Sequence, residues 1–116
     1  RIENEKEEKD PNIVKVLANN NLEKNSFSQA LDFFRISNKP LSKFVYHHIG
    51  IYAFTSKALI RYVNLKRSKL EIKRKLEQMR AIENKLKINV GYIDSCPLSV
   101  DTKEDLKAIR KIMEIK

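Results

Sequence analysis

The stretch KFVYHHIGIYAF, residues 43–54, constrains the fold of this chain more than any other. It is dense in β-branched and aromatic residues, which favour a pleated backbone. It has no clean polar alternation, so the expected element is a strand covered on both faces, as in a sheet flanked by helices. Gly50 inside it marks a bulge or a close approach by a ligand or another backbone. TSKALIRYV (55–63) follows at once, with Thr55 or Ser56 as N-cap and Leu59, Ile60 and Val63 as an apolar helix face.

The other segments fit the same layered plan. DPNIVKVLANNN predicts a strand that starts near Pro11 and ends in the turn cluster Asn19, Asn20 and Asn21. Residues 22–42 read as irregular, broken by Ser28, Ser37, Asn38 and Pro40. SKLEIKRKLEQMRAIENK (68–85) predicts one long helix. Ser68 and Glu71 form a capping box at its start, and Ile72, Leu76, Met79, Ile82 and Leu86 recur at helical spacing. Asn84 is a stop signal. LKINVGYID (86–94) alternates Ile88, Val90 and Tyr92 with wetter positions, as an edge strand would. A last helix is expected over 102–114 with Leu106, Ile109, Ile112 and Met113 turned inward. Residues 1–10 read as loop or frayed end. The element order favours an α/β layered fold.

Composition narrows the function classes. The 116 residues suffice for one small domain, and they start at Arg1 rather than Met, which predicts a processed protein or a piece of a longer one. No run of roughly 18 apolar residues is present, so no membrane span is expected. The charged start RIENEKEEKD is unlike a signal peptide. One cysteine, Cys96, excludes an internal disulfide and a cysteine-based zinc site; it reads as an inert thiol in a reducing cytoplasm. Two glycines exclude a Gly-rich phosphate loop. The net charge of +9 is uneven: residues 57–87 hold eleven Lys and Arg against three Glu. Such a stretch can contact phosphates, which keeps open a basic nucleic-acid-binding module, although no recognisable DNA or RNA motif accompanies it.

Three groups of residues can carry chemistry. Asp101 is a candidate cap for the last helix with Glu104 as partner, and Thr102 with Asp105 is the alternative. Asp101 also follows a strand, where ligands gather in open α/β sheets, and a carboxylate is a hard-oxygen ligand suited to Mg²⁺. His48 and Tyr52 are four residues apart, so on an extended strand they share a face, with Gly50 between them leaving room for a ligand. Glu77 lies nearly opposite the apolar side of its helix, and Gln78 lies on the flank. Nothing resembles a nucleophile–base–acid triad.

HHIGIYAF, SKLEIKRKLEQMR and SVDTKEDL, in this order and at this spacing, resemble the carboxyl-terminal half of the 3-deoxy-manno-octulosonate (Kdo) cytidylyltransferases, and RIENEKEEKDPNIVKV resembles the stretch before it. The resemblance implies that residues 1–116 are the carboxyl-terminal fragment of a single domain with a nucleotide-diphospho-sugar transferase-like fold, a mixed sheet with flanking helices. It implies transfer of CMP from CTP to Kdo with release of pyrophosphate, dependent on Mg²⁺, in the cytoplasm and for lipopolysaccharide synthesis. The enzymes of the family are usually homodimers. Asp101 would hold the metal with a second carboxylate from the amino-terminal half, while His48, Tyr52, Glu77 and Gln78 would contact the sugar acid. The residues offer no catalytic group of their own, and neither nucleic acid nor a membrane is an expected partner. Without the CTP-binding half, the chain alone is expected to be inactive and marginally stable or associating. Gln29 stands where the family stretch has Arg, and Ser99 where Gly is common, which leaves a related sugar acid as an alternative substrate.

Overall fold

The computed structural model describes residues 1–95 and 97–115; the expected inert thiol of Cys96 lies outside them. A four-stranded sheet, in the order β3-β1-β2-β4, carries the fold. The strands are β1 (Lys15–Ala18), β2 (Phe27–Phe34), β3 (Val45–His47) and β4 (Asn89–Gly91). The helices are α1 (Glu5–Lys9), α2 (Ser56–Val63), α3 (Lys69–Arg74), α4 (Gln78–Glu83) and α5 (Lys103–Glu114). The layered α/β class is as expected. All described ladders are antiparallel, so the parallel part of a mixed sheet is not among them.

β1 sits in the middle, as its run of Val and Leu predicts, and pairs with β2 and β3. β2 corrects the reading of residues 22–42 as irregular: it is the longest strand. Its inward positions include Ser28 and Ala30 beside Phe33, so the strand carries a weak apolar signal. Its register with β1 shifts between Leu17 and Ala18. The core gathers Val16, Ala18, Leu22, Ala30, Phe33 and Tyr46 from this side, with Leu76 and Met79 from the helical layer. Tyr46 is buried with its hydroxyl satisfied: it donates to Asn21 Oδ1 (3.0 Å) and accepts from the Leu22 amide (2.9 Å). Lys15 is also fully buried, its ammonium donating to the carbonyls of Asp10 and Arg35. β4 is the edge strand expected over 86–94, though shorter, and Ile88, Val90 and Tyr92 pack on the core as the alternation required. At that edge the Phe27 ring lies over Gly91, so close that a Cβ there would meet it at 2.9 Å.

Residues 43–54 do not form one strand. Regular pairing ends at His47, and the His48 amide adds one more bond to the Val14 carbonyl (2.8 Å). A tight turn follows, closed by the Ile51 amide on the Ile49 carbonyl (2.8 Å), and Ile51 is 82% exposed. Gly50 stands in open space, so no bulge is present and no other backbone approaches it closely. The amino-terminal decade also differs from the frayed end expected. Asn4 caps α1, and the Ile2 amide bonds the Val45 carbonyl on the outer side of β3 (3.1 Å).

The expected long helix 68–85 is two helices. Lys75 adopts a left-handed conformation (φ 55, ψ 46), and the Leu76 amide reaches back to the Glu71 carbonyl (3.2 Å), which is the Schellman way to end a helix. No Gly or Pro announces this break. It lets Leu76 and Met79 both enter the core, while Ile72, expected on the apolar face, is exposed. Thr55, the Ser68–Glu71 box and Asn84 act as the caps expected of them. Helix α5 forms as predicted, but Leu106, Ile112 and Met113 are exposed rather than inward. Among the described residues no strand or helix packs substantially against α5.

A left-handed lysine costs about 1 kcal/mol that glycine does not. Lys75→Gly is therefore expected to raise unfolding free energy by about 1 kcal/mol in urea denaturation. A loss of stability would show that the break is held by something other than backbone conformation.

Candidate substrate-binding site

The turn after β3 brings His48 and Tyr52 together. Four residues of extended chain span about 13 Å, so the shared strand face could not have put them in contact. The turn does: Tyr52 Oη lies 2.8 Å from His48 Nε2, with ring centroids 5.5 Å apart. His48 is held from behind by an edge-to-face contact with Phe33 of the core (5.2 Å). Burial, and then the neighbouring His47, pushes the His48 imidazole below its ordinary value of 6.5. Burial pushes the Tyr52 hydroxyl up to about 12, with Tyr62 and Glu77 adding to it. Tyr52 therefore keeps its proton at any physiological pH; in the tautomer with the hydrogen on Nε2, His48 donates to Oη and leaves that proton free to donate elsewhere.

The two candidate pairs are joined by a row of rings and one hydrogen bond. The link runs through residues that sequence reasoning passed over. Rings continue from Tyr52 to Phe54 (6.5 Å) and from Phe54 to Tyr62 of α2 (5.8 Å). The Tyr62 hydroxyl donates to the Glu77 carbonyl (3.1 Å), and the Arg80 guanidinium lies 5.0 Å from the Tyr62 ring centroid. Glu77 is exposed and opens α4 without a side-chain cap, and Gln78 is half-buried beside it. Tyr62 lies in TSKALIRYV and Arg80 in SKLEIKRKLEQMR, and only their contacts around Glu77 in space mark them out.

Beneath this corner is a buried ion pair. Arg80 donates through Nε and Nη2 to Glu71 Oε2 (2.9 Å) and Oε1 (2.6 Å), and Glu71 is 1% exposed. The same carboxylate accepts the Ser68 amide in the capping box (3.1 Å). In an unbroken helix these residues, nine apart, would point to opposite sides at about 100° per residue. The break at Lys75 lets them meet. Arg80, chiefly by its hydrogen bonds, holds the Glu71 carboxyl down to about 2 from an ordinary 4.5.

Asp101 stands apart. Thr102 is the N-cap of α5 and Asp105 completes its box, so of the two capping alternatives the second holds. Asp101 is exposed, and its carboxylate accepts the Ser99 hydroxyl (2.9 Å). Among the described residues no hydrogen bond, ion pair or ring contact given joins it to the His48–Glu77 cluster. Nor is there among them a group of three His, Cys, Asp or Glu placed to hold a metal ion. A hard, exposed carboxylate is of the chemical type that binds Mg²⁺, but Asp101 alone does not make a site. The lysines of the basic stretch are exposed, while its arginines are engaged within the chain. Arg61 is turned onto the Asn84 carbonyl, Arg67 and Arg80 onto Glu71, and Arg74 onto Asp32 and the Phe33 carbonyl. Among the described residues no helix is long and apolar enough to cross a membrane.

Two outcomes follow. A proton NMR titration is expected to place the His48 midpoint below 6.5, and a midpoint at or above it would contradict burial of the ring. Because the folded Glu71 carboxyl is depressed, its contribution to stability is present above pH 4.5 and is lost as pH falls toward 2. Glu71→Gln should lower Tm at pH 7 by roughly 5–15 °C and flatten the fall of Tm across that acid range. Parallel Tm–pH curves for the two proteins would remove Glu71 as the source.

A sequence model of the Cytidylyltransferase family matches residues 1–88. The chain is 44% identical over 113 residues to the 3-deoxy-manno-octulosonate cytidylyltransferase of Bartonella tribocorum, covering 97% of this chain and 46% of that protein. The protein of the same name from Bartonella henselae is 46% identical over the same shares, and that from Rhizobium meliloti is 44% identical over 97% of this chain and 44% of its own length. The chain thus spans about half the length of the curated relatives it matches. With most of the chain matched by the family model and relatives of that identity along nearly all of it, this chain belongs to the cytidylyltransferase family.

Proposed function

We propose that residues 1–116 are the carboxyl-terminal part of a single cytidylyltransferase domain that transfers CMP from CTP to Kdo and releases pyrophosphate. The observation that carries this reading is the contact of His48 with Tyr52 and its link through Phe54 and Tyr62 to the Glu77 carbonyl, in a chain whose relatives bear that activity in their names. The chemistry of the cluster suits a sugar acid. Tyr52 presents a hydroxyl that stays protonated, fit to donate to a carboxylate or a sugar oxygen, and His48 orients it. Glu77 and Gln78 supply acceptors and a donor for sugar hydroxyls at the start of α4. With the sugar held, its hydroxyl forms the new bond to the α-phosphorus of CTP as the bond to pyrophosphate breaks.

Asp101 would hold Mg²⁺ together with a carboxylate from the CTP-binding half. The ion would offset the charge of the two anionic substrates. The reading includes a homodimer, which would cover exposed apolar residues such as Ile60 and Val63, and a cytoplasmic place in lipopolysaccharide synthesis. The inward use of Arg74 and Arg80 weighs against the nucleic-acid alternative.

In a protein carrying this chain and the CTP-binding half, Asp101→Ala is expected to abolish Mg²⁺-dependent release of pyrophosphate, and residues 1–116 alone are expected to show none. Undiminished turnover in the variant would sink the metal assignment. Turnover with N-acetylneuraminate in place of Kdo would redirect the reading to a related sugar acid.

A further inference from the structure

Tyr62 links the two sides of the candidate site, through Phe54 on one side and the Glu77 carbonyl on the other. Its ring stacks obliquely on Phe54, which leads through Tyr52 to His48. The Arg80 guanidinium lies near the ring, and that guanidinium is itself anchored by two hydrogen bonds to the buried Glu71 carboxylate. What remains is the hydroxyl, which donates to the main-chain carbonyl of Glu77. That carbonyl belongs to the peptide joining Glu77 to Gln78. The same carbonyl accepts the Arg80 amide (3.1 Å), so the Tyr62 hydroxyl is a second hold on the peptide plane from which both side chains leave the backbone. The need for such a fastening is visible locally. Glu77 follows the left-handed Lys75 by two residues and opens α4 with no side-chain cap of its own.

We propose that Tyr62 is a positioning residue: its hydroxyl sets the Glu77–Gln78 corner against the His48–Tyr52 pair, so that both pairs close on one sugar acid. The proposal rests on the reading of these four residues as sugar-acid ligands. A purely space-filling tyrosine would act through its ring, and phenylalanine would replace it without loss. A positioning tyrosine acts through Oη, and phenylalanine removes only that.

The test is steady-state kinetics on the protein that carries this chain and the CTP-binding half, with Kdo and CTP varied separately. Tyr62→Phe is expected to raise KM for Kdo about 3- to 10-fold, the worth of one net hydrogen bond, with kcat, KM for CTP and Tm nearly unchanged. In a Glu77→Ala, Gln78→Ala background the same substitution should have no further effect on KM for Kdo, because the groups it orients are gone. Additive effects in that cycle would overturn the proposal. An unchanged KM in Tyr62→Phe, with KM raised in Glu77→Ala, would overturn it and leave the ligand reading standing. Equal rises in both KM values with a lowered Tm would make the hydroxyl a fold contact and overturn it. An unchanged KM in Glu77→Ala and in Gln78→Ala would sink the ligand reading, and the proposal with it.

Discussion

The buried carboxylate of Glu71 organises the helical layer. Unpaired, it would carry a desolvation cost of several kcal/mol. Its partners answer that cost from three places: the Ser68 amide of the cap, Arg67 just before it, and Arg80 from the helix after the break. Only the last gives two short, charge-assisted bonds, and only a chain that turns at Lys75 can deliver it. The pair thus favours two short helices over the straight one that the pattern of Leu and Ile would permit. Its value is specificity as much as stability, since a hydrophobic pair of like volume would hold the core equally well.

From that pair the structure reaches the sheet by side chains rather than by backbone. Between β3 and α2 there is no regular element, only the turn around Gly50 and a short extended run. Rings span this gap from Phe33 in the core through His48, Tyr52, Phe54 and Tyr62 to Arg80. Aromatic side chains are well suited to such a bridge, because they bury large area while giving up few rotatable bonds. The candidate ligands are part of the bridge, so their geometry depends on the same contacts that tie helices to sheet.

Much of this was legible along the chain. Capping boxes are local, made by residues three apart, and so Ser68–Glu71 and the Thr102–Asp105 alternative could be read directly. The alternation in 86–94 and the run in β1 report burial on a sheet whichever partners they find. β2 escaped notice because its buried side includes Ser28 and Ala30, where small size rather than apolarity suits the space. Residues 43–54 misled in the opposite direction. Their aromatic density reflects a bridge of side chains, and it imitates a strand.

The sequence by itself determined the caps at Thr55, Ser68 and Asn84, the α/β class and the motifs that carry the family likeness. Those properties rest on neighbours within a few residues. Tertiary structure alone decided that the helix breaks at Lys75, that His48 meets Tyr52 through a turn, that Tyr62 faces Glu77, and that α5 shows its apolar side to solvent. Each of these depends on where a distant segment lies, and a buried charge or a packed ring overrides a propensity of a few tenths of a kcal/mol per residue.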